Sequence, residues 1–144
     1  MDYFKAVEIS AAGMAAQKAR VEAATLNLAN MHSSAAPGSP GYQPVTAVIQ
    51  ALPTSFARVF DDATPAAVIA QASIVPQTGA GVRLAYEPGH PHADAAGMVA
   101  YPAVDPTQEM LTVITALRGY EANLAALQAT KALAESALQI GGGQ

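Results

Sequence analysis

The stretch His90-Pro91-His92-Ala93-Asp94 sets two imidazoles and a carboxylate close together, the donor types that hold zinc or a similar divalent ion. On that reading the chain is a metal hydrolase using His90, His92 and Asp94. A further imidazole belongs after Asp94, but Ala95 stands there, and the remaining histidine, His32, falls in a different loop. Pro88, Gly89 and Pro91 account for the same residues as a solvated turn. The other loop carboxylates, Glu87, Asp61 and Asp62, have no spacing that obliges two of them to face each other across a cleft, as acid–base catalysis requires. No nucleophile elbow, phosphate-cradling glycine loop or dinucleotide fingerprint is present. The turn is the better reading, and neither an enzyme nor a bound cofactor is expected.

The elements around this turn are easier to place. From Asp2 to about Asn30 the chain has no proline and one glycine, Gly13, among residues that favour helix. Ile9, Ala12, Ala16, Ala19, Ala23, Leu26 and Asn30 fall on one face, and Val7, Met14, Val21 and Leu28 recur on roughly the opposite one. A helix apolar on two sides expects neighbours on both, more than one partner helix in a small monomer supplies. Residues 32–44 are rich in Ser, Gly and Pro and read as a linker or extended arm. Between Val45 and Tyr101 short runs rich in Val and Ile suggest strands, at Val45 to Gln50, Phe56 to Phe60, Ala67 to Val75 and Val82 to Tyr86. In the last of these Val82, Leu84 and Tyr86 alternate with polar or small residues, so they are expected to face a core.

Asp105-Pro106-Thr107-Gln108 carries a cap, a proline suited to the first helical position, and a glutamine three places after the cap. A helix is expected from there to the Gly141-Gly142-Gly143 stop. Along it Met110, Val113, Leu117, Tyr120, Leu124, Leu127, Lys131, Ala134 and Leu138 keep steps of three and four, the seam of a coiled coil. At about 1.5 Å per residue this helix is roughly 54 Å long, more than a globular domain of this size needs. Lys131 in the seam is read as a side chain whose stem covers apolar surface, paired with Glu135.

Composition bounds the function. The chain has 144 residues, 51% of them hydrophobic but many of these alanine, with no tryptophan and 6% aromatics. Alanine buries little apolar area, so neighbouring chains are expected to complete the burial. A net charge of −4 and 12% charged residues offer no basic stripe for nucleic acid. There is no cysteine for disulfides or thiolate chemistry. The first ten residues lack the basic start and apolar run of a cleaved secretory signal, and no apolar run reaches a membrane span's roughly 20 residues.

Three landmarks together resemble a known family. Ile9-Ser10-Ala11-Ala12-Gly13-Met14 through Leu26-Asn27-Leu28-Ala29-Asn30 resembles the opening helix of bacterial flagellar basal-body rod proteins, which closes on Asn-Leu-Ala-Asn. Tyr86-Glu87-Pro88-Gly89-His90-Pro91, with Ala93-Asp94 and Gly97, is similar to a segment that sets the FlgC-type proximal rod subunit apart. Tyr120-Glu121-Ala122-Asn123, Thr130-Lys131 and Ala137-Leu138 resemble the closing helix. The departures are mild: Met98 for a common tyrosine, Ser33 for a threonine, and Pro102-Ala103-Val104-Asp105 for Pro-Asn-Val-Asn. Residues 44–81 carry no family signature.

The resemblance implies a subunit exported by the flagellar type III apparatus without a cleaved signal peptide, then polymerised in the periplasmic rod that transmits torque. Its implied partners are itself, other rod proteins, MS-ring and rod-base proteins, and the export apparatus, with no membrane insertion. The resulting expectation is an α+β chain whose long terminal helices pair in a coiled-coil-like bundle around a small β-rich middle. Its parts are an assembly helix over 1–31, a linker and β-rich domain over 32–104, and a second assembly helix over 105–144. The expected assembly interface is Val7, Ile9, Met14, Val21, Leu26, Leu28 and Asn30 with Met110, Val113, Leu117, Tyr120, Asn123, Leu124, Leu127 and Leu138. A soluble coiled-coil adaptor is the alternative without chemistry. The free monomer is expected to be partly disordered, since helices with two apolar faces lack their partners there.

Overall fold

A computed structural model describes residues 3–53 and 68–141. Helix α1 covers Tyr3–Asn30, strand β1 Val45–Pro53, β2 Val68–Pro76, β3 Val82–Tyr86, β4 Met98–Pro102, and helix α2 Pro106–Gly141. The strands form two separate pairs, β1 with β2 and β3 with β4. This is the expected α+β arrangement of two long terminal helices about a small strand-rich middle. The strand expected at Phe56 to Phe60 lies outside the described residues. No helix among the described residues is long and apolar enough to cross a membrane.

Local chemistry explains the helix ends. Asp105 Oδ1 accepts from the backbone N–H of Thr107 at 2.9 Å and of Gln108 at 3.4 Å, and Pro106 occupies the first helical position, where a missing N–H costs nothing. At the end of α1, Asn30 donates from Nδ2 to Leu26 O at 2.8 Å. The Asn30 carbonyl then takes both the Ser33 N–H at 3.0 Å and the Ser33 hydroxyl at 2.7 Å, turning the chain into the linker.

Contacts cluster into two compact units: Met1–Ala19, Val48–Ser73 and Thr115–Gln144 form the first, Arg20–Ala47 and Ile74–Ile114 the second. In the first unit the described buried residues are Ser10, Ala16 and Ala116. In the second they include Val99 and Ala100 of β4, Ala23, Ala24 and Asn27 of α1, and Pro44 and Pro102.

The β3–β4 hairpin is antiparallel, with Val82 opposite Pro102, Leu84 opposite Ala100 and Tyr86 opposite Met98. The linker lies along the far side of β4, where Ala35 and Ala100 exchange two backbone hydrogen bonds of 2.9 Å. Val82, Leu84 and Tyr86 are 64%, 54% and 70% exposed, which corrects the expectation that their alternation marks a core face. The period identified the strand correctly, but alternation shows that a strand has two faces and not which of them is covered.

Candidate assembly site

Small and polar residues hold the two helices of the chain together. In the first unit Gly13 of α1 lies against Asn123 of α2, so close that a Cβ added there would sit 2.5 Å from Asn123 Oδ1. Gly119 of α2 lies in the same way against Gln17 of α1, with 2.9 Å to its Cδ. Each helix thus supplies a glycine to receive the other's amide side chain, and the two run antiparallel. Asn123 also donates to Gly119 O at 2.8 Å, which fixes its rotamer. A mid-helix glycine costs about 1 kcal/mol of helix propensity relative to alanine, and here close approach of the helices gives it a purpose.

In the second unit the amide of Asn27, 2% exposed, meets four partners. Its Nδ2 donates to Val45 O at 2.9 Å and to Glu109 Oε1 at 2.8 Å, and its Oδ1 accepts from Val45 N–H at 2.8 Å and from the Tyr42 hydroxyl at 2.9 Å. Two donors and two acceptor sites are an asparagine side chain's full capacity. One buried residue therefore ties the end of α1, the linker, the start of β1 and the first turn of α2. Burial, and secondarily the Glu109 carboxylate, raise the Tyr42 phenol above its ordinary pKa.

The large apolar residues stand elsewhere. Of the expected interface, Val7, Ile9, Leu26, Met110, Leu117, Tyr120, Leu124 and Leu138 are exposed, while Met14, Val21, Leu28, Asn30, Val113, Asn123 and Leu127 are partly covered. The seam drawn through Met110, Leu117, Tyr120 and Leu124 is thus not the line along which α2 meets α1 within the chain. The contacts with α1 are made at Gly119 and Asn123, on a stripe next to it where Ala116 is buried and Leu127, Thr130 and Ala134 are partly covered. Leu111 and Ile114 add to the exposed set, and periodicity in large residues alone missed them as well as the glycine–amide contacts. Lys131 reaches Glu135 at 3.7 Å in a pair well exposed to solvent, of small energetic consequence.

The metal alternative fares differently. Asp94 Oδ1 closes its own turn, accepting from the N–H groups of Ala96 and Met98 at 2.8 Å each. His92 N–H donates to His90 Nδ1 at 3.1 Å, and both rings meet the Ser34 hydroxyl, at 3.4 Å from His90 Nε2 and 3.0 Å from His92 Nδ1. The carboxylate and the imidazoles are engaged separately. Among the described residues no group of three or more His, Cys, Asp or Glu side chains is arranged to hold a metal. The turn instead fastens the linker through Ser34. Beside it Tyr101 donates to Glu87 Oε2 at 3.0 Å and lies under the Arg83 guanidinium, and the Glu87 bond raises its phenol's pKa.

Comparison with known proteins finds flagellar rod proteins. A family model described as the flagellar basal body rod FlgEFG protein C-terminal region matches residues 95–140. The flagellar basal-body rod protein FlgC of Aquifex aeolicus is 37% identical over 94% of this chain and 94% of its own length. The FlgC proteins of Bacillus subtilis and Salmonella typhimurium are 32% and 34% identical, over 98% and 93% of this chain and 99% and 94% of their own lengths.

Proposed function

We propose a specific use for the exposed helix faces of this chain, which belongs to the FlgC family of flagellar basal-body rod proteins. As a member it is a structural subunit of the basal-body rod. In our reading the exposed apolar residues of α1 and α2 are the surfaces through which it polymerises with sister subunits and other rod proteins. The observation that carries this is the inversion of ordinary helix packing: glycine and alanine meet inside the chain while Met110, Ile114, Leu117 and Leu124 face outward. Apolar strips of that extent on soluble proteins mark interaction surfaces.

The remaining assignments follow from the rod. The subunit transmits torque and carries out no reaction, and it leaves the cytoplasm through the flagellar type III apparatus without a cleaved signal. It works in the periplasmic part of the rod, next to MS-ring and rod-base proteins. In this reading the assembly helices span 1–31 and 105–144, and residues 32–104 between them contribute to both compact units. Leu117→Asp tests the interface. The purified variant should keep the helix content of the parent by circular dichroism, because Leu117 is exposed, yet fail to restore swimming to a deletion strain. Electron microscopy of that strain should show basal bodies halted before the rod. Normal rods and swimming with Leu117→Asp would refute the proposed interface.

A further inference from the structure

The turn between β3 and β4 holds two imidazoles that the rod reading leaves unused. His90 and His92 stand with ring centres 5.4 Å apart, and both meet the Ser34 hydroxyl of the linker, His90 through Nε2 at 3.4 Å and His92 through Nδ1 at 3.0 Å. The protons of this cluster can be assigned from its own bonds. His90 Nδ1 accepts the His92 N–H at 3.1 Å, so it carries no proton, and the proton of the neutral ring sits on Nε2. That Nε2–H donates to Ser34 Oγ, and the Ser34 hydrogen is left for His92 Nδ1.

A proton added to His90 has one place to go, Nδ1, where it points at the His92 N–H. Two donors cannot share that contact, so the ring must turn, and turning takes Nε2 off Ser34. His92 differs: protonated at Nδ1 it becomes a second donor to Ser34 Oγ, whose two lone pairs accept both. The charged groups of the hairpin around the cluster are engaged. Glu87 Oε2 takes the Tyr101 hydroxyl, Asp94 Oδ1 takes the Ala96 and Met98 N–H groups, and Arg83 lies over the Tyr101 ring, whose centre is 6.5 Å from that of His90. On the linker side Ser33 to Pro44 contain no charged residue, Tyr42 donates to Asn27, and His32 stands just before them.

We propose that Ser34, His90 and His92 form an acid-released fastener, closed while His90 is neutral and opened when His90 takes up a proton. What it fastens is the linker beside Ala35, whose two backbone bonds to Ala100 are the next contact along the chain. The closed form requires a neutral His90. Its contribution is therefore complete above about pH 6.5, where a histidine of the unfolded chain is neutral, and is lost as the pH falls below that. Histidine is the side chain suited to a switch in this range. The device belongs to the chain itself. In a subunit of the periplasmic rod, the reading proposed above, it answers to the pH outside the cytoplasm.

Amide exchange at Ala35 and Ala100 in the purified full chain reads the fastener, with each rate divided by that of an unstructured peptide at the same pH. Between pH 7.5 and 5.5, a range above the ordinary carboxylate values, protection at these two amides should fall by about threefold to fivefold, the weight of one hydrogen bond. Ser34→Ala should lower protection at pH 7.5 by a similar factor and show no further fall at pH 5.5, whereas His32→Gln should behave as the parent. Ring nitrogen NMR at pH 8 tests the proton assignment without any substitution, and His90 should carry its proton on Nε2. Protection that is absent at pH 7.5 or does not change with pH overturns the fastener. So does an acid response that survives Ser34→Ala or is lost in His32→Gln, or a His90 protonated on Nδ1 at pH 8. None of these outcomes touches the rod assignment, which a swimming deletion strain would remove.

Discussion

The two compact units bury different things. Ser10, Ala16 and Ala116 are the described buried residues of the first, which relies on glycine–amide interlocks at Gly13 and Gly119. The second buries Val99, two prolines and an asparagine with all its hydrogen bonds made, and its linker is stitched to β4. Alanine contributes few methylene equivalents at roughly 0.8 kcal/mol each, so the described buried residues of the first unit add little against the entropy of ordering long helices. Exposed large apolar residues occur in both units, Ile9, Leu117 and Leu124 in the first and Leu26, Val82, Leu84, Met110 and Ile114 in the second, so what separates the units is how their described buried residues are held.

Breaking the asparagine network of the second unit should have the largest effect. Asn27→Ala removes four hydrogen bonds and leaves the Glu109 carboxylate and both backbone polar groups of Val45 without that partner, at an expected cost of about 3 to 5 kcal/mol in urea unfolding. In the other half, Gly13→Ala forces a methyl toward Asn123. Overpacking of about 1–3 kcal/mol outweighs the gain of about 1 kcal/mol in helix propensity, so the first unit should lose roughly 1 kcal/mol while amide protection in the second is unchanged. Adding Asn123→Ala to that variant should recover most of the loss.

Tyr42→Phe sharpens the comparison through pH. The mutation should cost about 1 kcal/mol at neutral pH for one lost hydrogen bond. The raised pKa of Tyr42 means that the folded second unit favours the protonated phenol. Its contribution is complete below the unfolded pKa of about 10 and is lost as pH rises through the higher folded value. Alkaline titration above pH 10 should therefore weaken the parent more steeply than Tyr42→Phe, as read by urea midpoints. Smallest of all, Lys131→Ala should move stability by less than about 0.5 kcal/mol.

Much of the architecture could be read from residues whose meaning is local. Asp105-Pro106 and the glycines after Ile140 marked the ends of α2, and the Val- and Ile-rich runs marked β1, β2 and β3. Facing was harder to read. Periodicity weights large side chains, so it drew the helix contact through Met110, Leu117 and Leu124, whereas the chain closes along Ala116, Gly119 and Asn123. A glycine and an amide at matching positions on both helices were the available signal. Asn27 was visible as part of Leu26-Asn27-Leu28-Ala29-Asn30, but its role needs Tyr42, Val45 and Glu109, which only the fold brings to it.

Amide hydrogen exchange on the purified chain and on assembled rods tests the division most directly. In the free chain, residues 20–30 and strands β3 and β4 should be protected while 3–19 and 115–141 exchange rapidly, and these outer stretches should become protected in the rod. Strong protection throughout 3–30 and 106–141 in the free chain would contradict the account.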